Sequence, residues 1–148
     1  DRVAWHRHFY SARHLRYGVN VQVLACPFVR LLWAAPPLPG STHDLTAARR
    51  TGVIDALSSR NVETWVEKAY QGAGGTVRTP HKRHRTRHRL STGQKAVNHA
   101  HARIRCRGEQ AVAELKGWHV LDRLCCCPRR ADIAIAAITI LNRIETRR

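Results

Sequence analysis

From Lys68 to Gly108 the chain carries eleven Lys or Arg and five His, and not one Asp or Glu. This is the strongest charge asymmetry in the chain, its first half expected as an exposed loop and its second half as the opening of a long helix. Over the whole chain 26 Lys and Arg stand against 10 Asp and Glu, a formal charge of +16. Such an excess makes an acidic small-molecule site a poor expectation and a polyanion a good one, with nucleic acid first. The basic residues are 22 Arg and 4 Lys, a bias that a GC-rich genome accounts for in part.

The 148 residues make one domain, 1–148, with a basic loop at 71–90. A hydrophobic content of 43% argues against disorder. The most apolar run, residues 133–141 broken only by Thr139, falls well short of the ~18 residues that span a bilayer, so no membrane is expected. Five Cys, an odd number, with no leader pattern before them, read as reduced intracellular thiols. The chain starts at Asp1 and contains no Met, from which a fragment is expected.

Residues 18–26 alternate Val19, Val21 and Val23 against Asn20 and Gln22, the period of a half-buried strand. With the apolar run 30–35 this predicts an antiparallel hairpin, closed off by the Pro-rich residues 36–40. A helix is predicted next, capped by Ser41 or Thr42, with Asp44 in its first turn, Leu45, Ala48, Val53, Ala56 and Leu57 on its apolar face, and a weak point at Gly52. Residues 64–66 read as a short buried strand and 71–89 as an exposed loop. Ser91 and Gln94 have capping-box spacing and open a long helix through Lys116. The last helix, from near Pro128, is expected to turn Ile133, Ala137, Ile140, Leu141 and Ile144 to the core.

On the long helix, Arg105, Glu109 and Lys116 fall on one stripe, because seven residues are almost two turns. An acid flanked by bases suits metal-assisted phosphoryl transfer, the carboxylate holding a cation and the bases a phosphate backbone. The spacing alone favours a solvated, ion-paired face. Lys82, Arg83, Arg85, Arg87 and Arg89, with His84 and His88, are placed to track DNA phosphates. Structural zinc is disfavoured, since Cys125, Cys126 and Cys127 are consecutive and His81, His84 and His88 have no Cys at finger spacing. No base can be assigned to any Cys as a nucleophile.

Arg105, Glu109 three intervening residues later and Lys116 six intervening residues after that also form the second half of a Tyr, Arg, Glu, Lys signature, and other blocks stand in register with it. These are NVQVLA (20–25), WAAPPLPGSTHDLTAAR (33–49), VEKAYQGAGGTVR (66–78), KRHRTRHRLSTGQKAVN (82–98), ARIRCRGE (102–109) and CCCPRRA (125–131). Over roughly residues 10–145 the chain resembles the bacterial insertion-sequence transposases of the DDE class, a DDE superfamily endonuclease catalytic domain. The resemblance implies an α/β fold of the ribonuclease H-like, retroviral-integrase-like type, a mixed sheet with flanking helices. It also implies DNA strand cleavage and transfer by two divalent metals, Mg²⁺ or Mn²⁺, held by three carboxylates. Carried over, the third carboxylate is Glu109. The second is Glu67, where the family has Asp, and the next departures are Ala69 for Gly and Ala102 for the signature Tyr. The first lies upstream of the block matching Asp1, with the first strand of the sheet, so Asp1 is a weak substitute and neighbouring strand edges are expected to lack partners. Asp44 belongs to a family block and is a further candidate near the site, or simply a helix-start acid.

Glu67 and Glu109 are thus the expected metal ligands, with Asp44 beside them, and Arg105, Lys116 and the basic loop the expected DNA contacts. The expected protein is an N-terminally truncated, inactive transposase domain of the bacterial cytoplasm, nucleoid-associated, with DNA as partner and a homo-oligomer on DNA compatible with it. The alternative is a non-catalytic basic DNA-binding protein. A basic structural protein of a ribonucleoprotein would explain none of the ordered blocks.

Overall fold

The computed structural model describes residues 4–83, 86, 89–122 and 130–145. After a 3₁₀ turn, Ala4–Phe9, strands β1 (Tyr10–Ser11) and β2 (Arg16–Tyr17) form a small antiparallel hairpin with Tyr10 opposite Tyr17. The two rings meet edge to face at 5.2 Å, a favoured aromatic geometry.

The alternating segment 18–26 is two strands instead of one. β3 (Val19–Asn20) and β4 (Val23–Ala25) are separated at Val21 and Gln22 because they pair with different partners. β4 pairs antiparallel with β5 (Leu31–Ala34), the predicted hairpin, with Val29 at φ 66° in its turn and Cys26 N–H donating to Arg30 C=O at 2.9 Å. β3 pairs with β6 (Leu38–Pro39), so the Pro-rich segment does more than close the hairpin: it supplies a strand. Gly40 follows, where the chain crosses close to Gly18 and Phe9. A Cβ there would lie 2.5 Å from the Gly18 carbonyl oxygen and 2.7 Å from that of Phe9. Both obstacles are backbone, so Gly40→Ala is expected to destabilise the domain by about 2 kcal/mol or more, read as a lower urea midpoint at unchanged m value.

The helix predicted after Gly40 is broken as well. α1 (Asp44–Arg50) and α2 (Val53–Ser59) are parted by Gly52 at φ 69°, a left-handed conformation that glycine adopts freely. Neither Ser41 nor Thr42 caps α1. The cap is His43, whose Nδ1 accepts from Leu45 N–H at 3.3 Å, while the Ser41 hydroxyl donates to the His8 carbonyl. Ala47, Ala48, Ile54 and Leu57 form the buried face of the pair.

β7 (Thr64–Trp65) is half-buried and pairs in parallel with β8 (Val77–Arg78), so a strand lies inside the stretch expected to be loop alone. The long helix, α3 (Thr92–Gly117), carries the predicted capping box: Ser91 Oγ accepts from Gln94 N–H at 3.2 Å and Gln94 Oε1 from Ser91 N–H at 3.0 Å. Buried His101 on α3 meets the Arg78 carbonyl at 3.1 Å through Nε2, tying the helix to β8. A short α4 (His119–Asp122) follows, then α5 (Ala131–Glu145). The start of that helix near Pro128, and Cys125 to Cys127, lie outside the described residues.

The apolar face predicted for α5 is the wrong one. Ala131, Ile135, Ile138 and Thr139 are buried, whereas Ile133, Ile140, Leu141 and Ile144 are exposed. Both faces of this helix are apolar, so periodicity alone did not choose between them. Ile138 joins Leu31 and Leu115 in the core, with Val23, Trp118 and Leu121 packed around them.

Among the described residues the architecture is mixed α/β, with strands in four two-stranded sheets and no single continuous one. Successive strand residues turn their polar groups to opposite edges. Gln22 and Cys26 bond toward β5, and Thr64 and Val66 bond toward β8, so Val23, Ala25 and Trp65 direct theirs away from those partners. Between β4 and β7, with α3 as its wall, lies a cleft of about 600 Å³. No helix among the described residues is long and apolar enough to cross a membrane.

Candidate functional site

The cleft between β4, β7 and α3 collects the ionisable side chains. Glu67 follows β7 at the start of a 3₁₀ turn, Lys68–Tyr70, while Arg105, Glu109 and Lys116 come from one face of α3, and all four line the cleft. Arg105 is the joint between the two elements. Its Nη1 donates to Glu109 Oε1 at 2.6 Å, one turn along the helix, and to Glu67 Oε1 at 3.0 Å. Carboxylate oxygens from residues 42 positions apart therefore converge on one nitrogen atom.

A second arginine extends the chain of charge. Arg13, in the turn between β1 and β2, donates through Nη1 to Asp44 Oδ2 at 2.9 Å and places Nη2 3.6 Å from Glu67 Oε2. Asp44, Glu67 and Glu109 are thus linked in series, with a guanidinium between each neighbouring pair. Asp44 is the better enclosed end: Asn20 Nδ2 donates to its Oδ1 at 2.8 Å and to the Thr42 carbonyl at 3.0 Å. Buried Gln22 donates to Asn20 Oδ1 at 2.8 Å and accepts from the Tyr70 hydroxyl at 2.8 Å. β3, the β3–β4 bend, α1 and the turn after β7 are locked together by this polar network.

The acidity of Tyr70 is displaced. Burial, then the negative charge of Asp44, push its phenol from the ordinary 10.0 to about 12; the Gln22 hydrogen bond opposes the rise, Glu67 adds to it and Arg13 opposes it. The native state therefore keeps the proton that the unfolded chain surrenders near pH 10. Stability contributed by this site is whole below pH 10 and lost as pH rises from 10 toward 12. Tyr70→Phe is expected to flatten this part of the alkaline decline, measured as the urea midpoint of the variant minus that of the parent at pH 9, 10 and 11. A difference constant across that range would contradict the shift.

The pairing of Arg105 with Glu109 is the ion-paired helical face that the spacing favours, but Glu67 joins it from a distant element. Arg13, Asn20, Gln22 and Tyr70 were not candidates from the sequence. Asn20, Gln22 and Tyr70 stand inside blocks that carry the family resemblance, whereas Arg13 is one arginine among 22 with no local signal. Lys116 is exposed at the cleft rim. Lys82, Arg83 and Arg89 are exposed beyond β8. Asp1, His84, Arg85, Arg87 and His88 lie outside the described residues. The segment before them is anchored: the Asn98 amide bonds both backbone groups of His81, at 2.7 and 3.0 Å.

The fit to a divalent cation is mixed. Hard carboxylate oxygens are the right donors for Mg²⁺ or Mn²⁺, and those of Glu67 and Glu109 point to a common centre. That centre is the Arg105 Nη1 atom, and no group of three His, Cys, Asp or Glu side chains able to share an ion is formed among the described residues. With the side chains so placed, guanidinium groups hold the carboxylates that a metal would need.

Compared with known families, residues 1–143 match the family model described as DDE superfamily endonuclease. Comparisons with curated proteins and with solved structures gave no match.

Proposed function

The chain belongs to the DDE superfamily endonuclease family, and on that premise we propose that it is a transposase-type nuclease domain of the bacterial insertion-sequence kind, ribonuclease H-like in fold, acting on DNA. Glu67 and Glu109 are its metal-holding carboxylates in this reading, and Asp44 is the third acid, at the far end of the arginine-linked series. The observation that carries the reading is the convergence of Glu67 and Glu109 on one point at the cleft, from a strand end and from α3, although they are 42 residues apart in the sequence. A divalent metal held there would stabilise the charge that develops on a phosphodiester during displacement.

The chain's own residues set the state of the site. Arg105 bridges both glutamates, so the free protein rests with its carboxylates compensated and does not cut. Arg107 and Lys116, at the same cleft, are placed for phosphate oxygens, as are Lys82, Arg83 and Arg89 outside it. Tyr70 stays protonated at neutral pH and holds Gln22, and through it Asn20 and Asp44, in position.

A second reading, a non-catalytic basic DNA-binding protein, is favoured by one observation: arginines stand where a shared cation would. Mn²⁺ titration followed by electron paramagnetic resonance, beside nicking of supercoiled plasmid, separates the two. Glu67→Gln and Glu109→Gln are each expected to lower Mn²⁺ binding, with no nicking by the parent chain. Equal Mn²⁺ binding in all three proteins leaves the non-catalytic reading. Nicking that Glu109→Gln abolishes would overturn the claim of a resting, uncut state.

A further inference from the structure

The acid-free stretch has no counter-charge of its own, and the fold gathers part of it onto one surface. The buried side of α3 is His101, Ala111 and Leu115. At 100° per residue the opposite side of its first three turns carries Lys95, His99 and Arg103, in steps of four residues and about 6 Å. All three are exposed, and none of their side chains has a hydrogen-bond or ion-pair partner among the described residues. The first acid along the helix is Glu109, whose carboxylate is already held by Arg105. His99 stands nine residues before Gly108 of the cleft wall, two and a half turns, so the stripe faces away from the cleft.

A neutral residue brings the basic loop to the same helix. Asn98 Oδ1 accepts from the His81 N–H at 2.7 Å and Asn98 Nδ2 donates to the His81 carbonyl at 3.0 Å, so one amide satisfies both backbone groups of a single residue. Gln71 Nε2, from the turn after β7, donates to the Pro80 carbonyl at 3.1 Å. The Pro80 ring fixes its own φ, so the chain is pinned immediately before Lys82 and Arg83, both exposed. Asn98 lies three residues after Lys95 and is its neighbour on the helix surface. The Lys82 Cα lies one peptide unit, about 3.8 Å, beyond that of the residue Asn98 holds.

We propose that Lys82, Arg83, Lys95, His99 and Arg103 form one ridge that binds the phosphates of duplex DNA outside the cleft, with Asn98 as its positioning residue. The inference rests on the reading of the chain as a protein that acts on DNA, and adds a second surface to it. A duplex repeats its negative charge at short, regular intervals, and a rigid helix with a pinned loop beside it repeats positive charge in the same way. The lysines act as point charges, the arginines bond phosphate oxygens in pairs, and the imidazole offers an N–H even when neutral. Phosphate contacts carry no base identity, so the ridge sets where the duplex lies and not which sequence is chosen. Asn98 touches no DNA in this scheme. It reduces the conformations that the loop gives up on binding, and so affects affinity without any change of charge.

Fluorescence anisotropy of the whole chain with a labelled duplex, over a salt series, tests the ridge and its clamp. Lys95→Gln with Arg103→Gln should make the slope of log affinity against log salt shallower by up to about 1.8, two contacts at about 0.9 each. Asn98→Ala should weaken binding about fivefold while helical circular dichroism is kept, since alanine is the better helix former. In a background of Lys82→Gln and Arg83→Gln the same Asn98→Ala change should cost less than about twofold, because the side chains it positions are gone. An equal loss in both backgrounds overturns the role of Asn98. An unchanged slope for Lys95→Gln with Arg103→Gln overturns the ridge and leaves the DNA reading standing, whereas a parent chain that binds no duplex at any salt overturns both.

Discussion

Replacing Arg105 with alanine is expected to raise the affinity of the chain for Mn²⁺ roughly thirtyfold. The side chain now places one positive charge 2.6 Å from a Glu109 oxygen and 3.0 Å from a Glu67 oxygen. A unit positive charge about 4 Å from a divalent cation costs about 2 kcal/mol even at the dielectric constant of water, and removing it returns that amount. Arg105 is itself a half-exposed surface partner, so its loss costs the fold little, within the ~0 to 1 kcal/mol usual for such pairs. The measurement is Mn²⁺ titration by electron paramagnetic resonance on the parent, on Arg105→Ala, and on Arg105→Ala combined with Glu67→Gln and Glu109→Gln. The triple variant should bind no better than the parent. If Arg105→Ala and the parent bind alike, the two glutamates are an ion-paired surface and nothing more. Arg13→Ala should act in the same direction but less strongly, because Arg13 lies 3.6 Å from Glu67 and does not touch Glu109.

Binding to duplex DNA should weaken steeply with salt and depend little on sequence, since the acid-free stretch offers phosphate partners without an evident base-reading element. Neutralising Arg83, Arg85, Arg87 and Arg89 together to Gln removes up to four phosphate contacts. Each contact contributes about 0.9 to the slope of log affinity against log salt, so the slope should become shallower by up to about 3.6. Near 0.1 M salt that corresponds to an affinity loss of roughly a thousandfold. Fluorescence anisotropy across a salt series reads both quantities on one substrate. An unchanged slope would take this loop off the DNA surface. Lys116→Gln, a single rim charge, should change the slope by no more than about 1.

Much of the chain's local structure was legible because its signals are short-range. Ser91 and Gln94 announced the start of α3 by satisfying one another's backbone groups, and 26 residues free of proline carried the helix onward. Apolar runs on either side of Pro27 announced the β4–β5 hairpin. Misreadings came where two local options had equal merit. His43 displaced Ser41 and Thr42 as cap once the Ser41 hydroxyl found the His8 carbonyl, 33 residues away. Leu38 and Pro39 became a strand only because β3 offered an edge. On α5 either side suited burial, and the neighbours at Leu31 and Leu115 chose Ile138 over Ile140.

The sequence by itself determined that residues 68–108 are basic and free of acids, that α3 carries Arg105, Glu109 and Lys116 on one stripe, and that the chain is a member of a nuclease family. These follow from charge, periodicity and motif order, which are properties of neighbours along the chain. Only the tertiary structure decided that Glu67 meets Glu109 through Arg105, and that Arg13 joins Asp44 to the same series. Each of those contacts bridges elements that share no local signal, and a side chain's partner is set by where packing of the apolar faces leaves it. The site is therefore an outcome of how β4, β7 and α3 enclose the cleft: the charges could be named beforehand, but the order in which they neutralise one another could not.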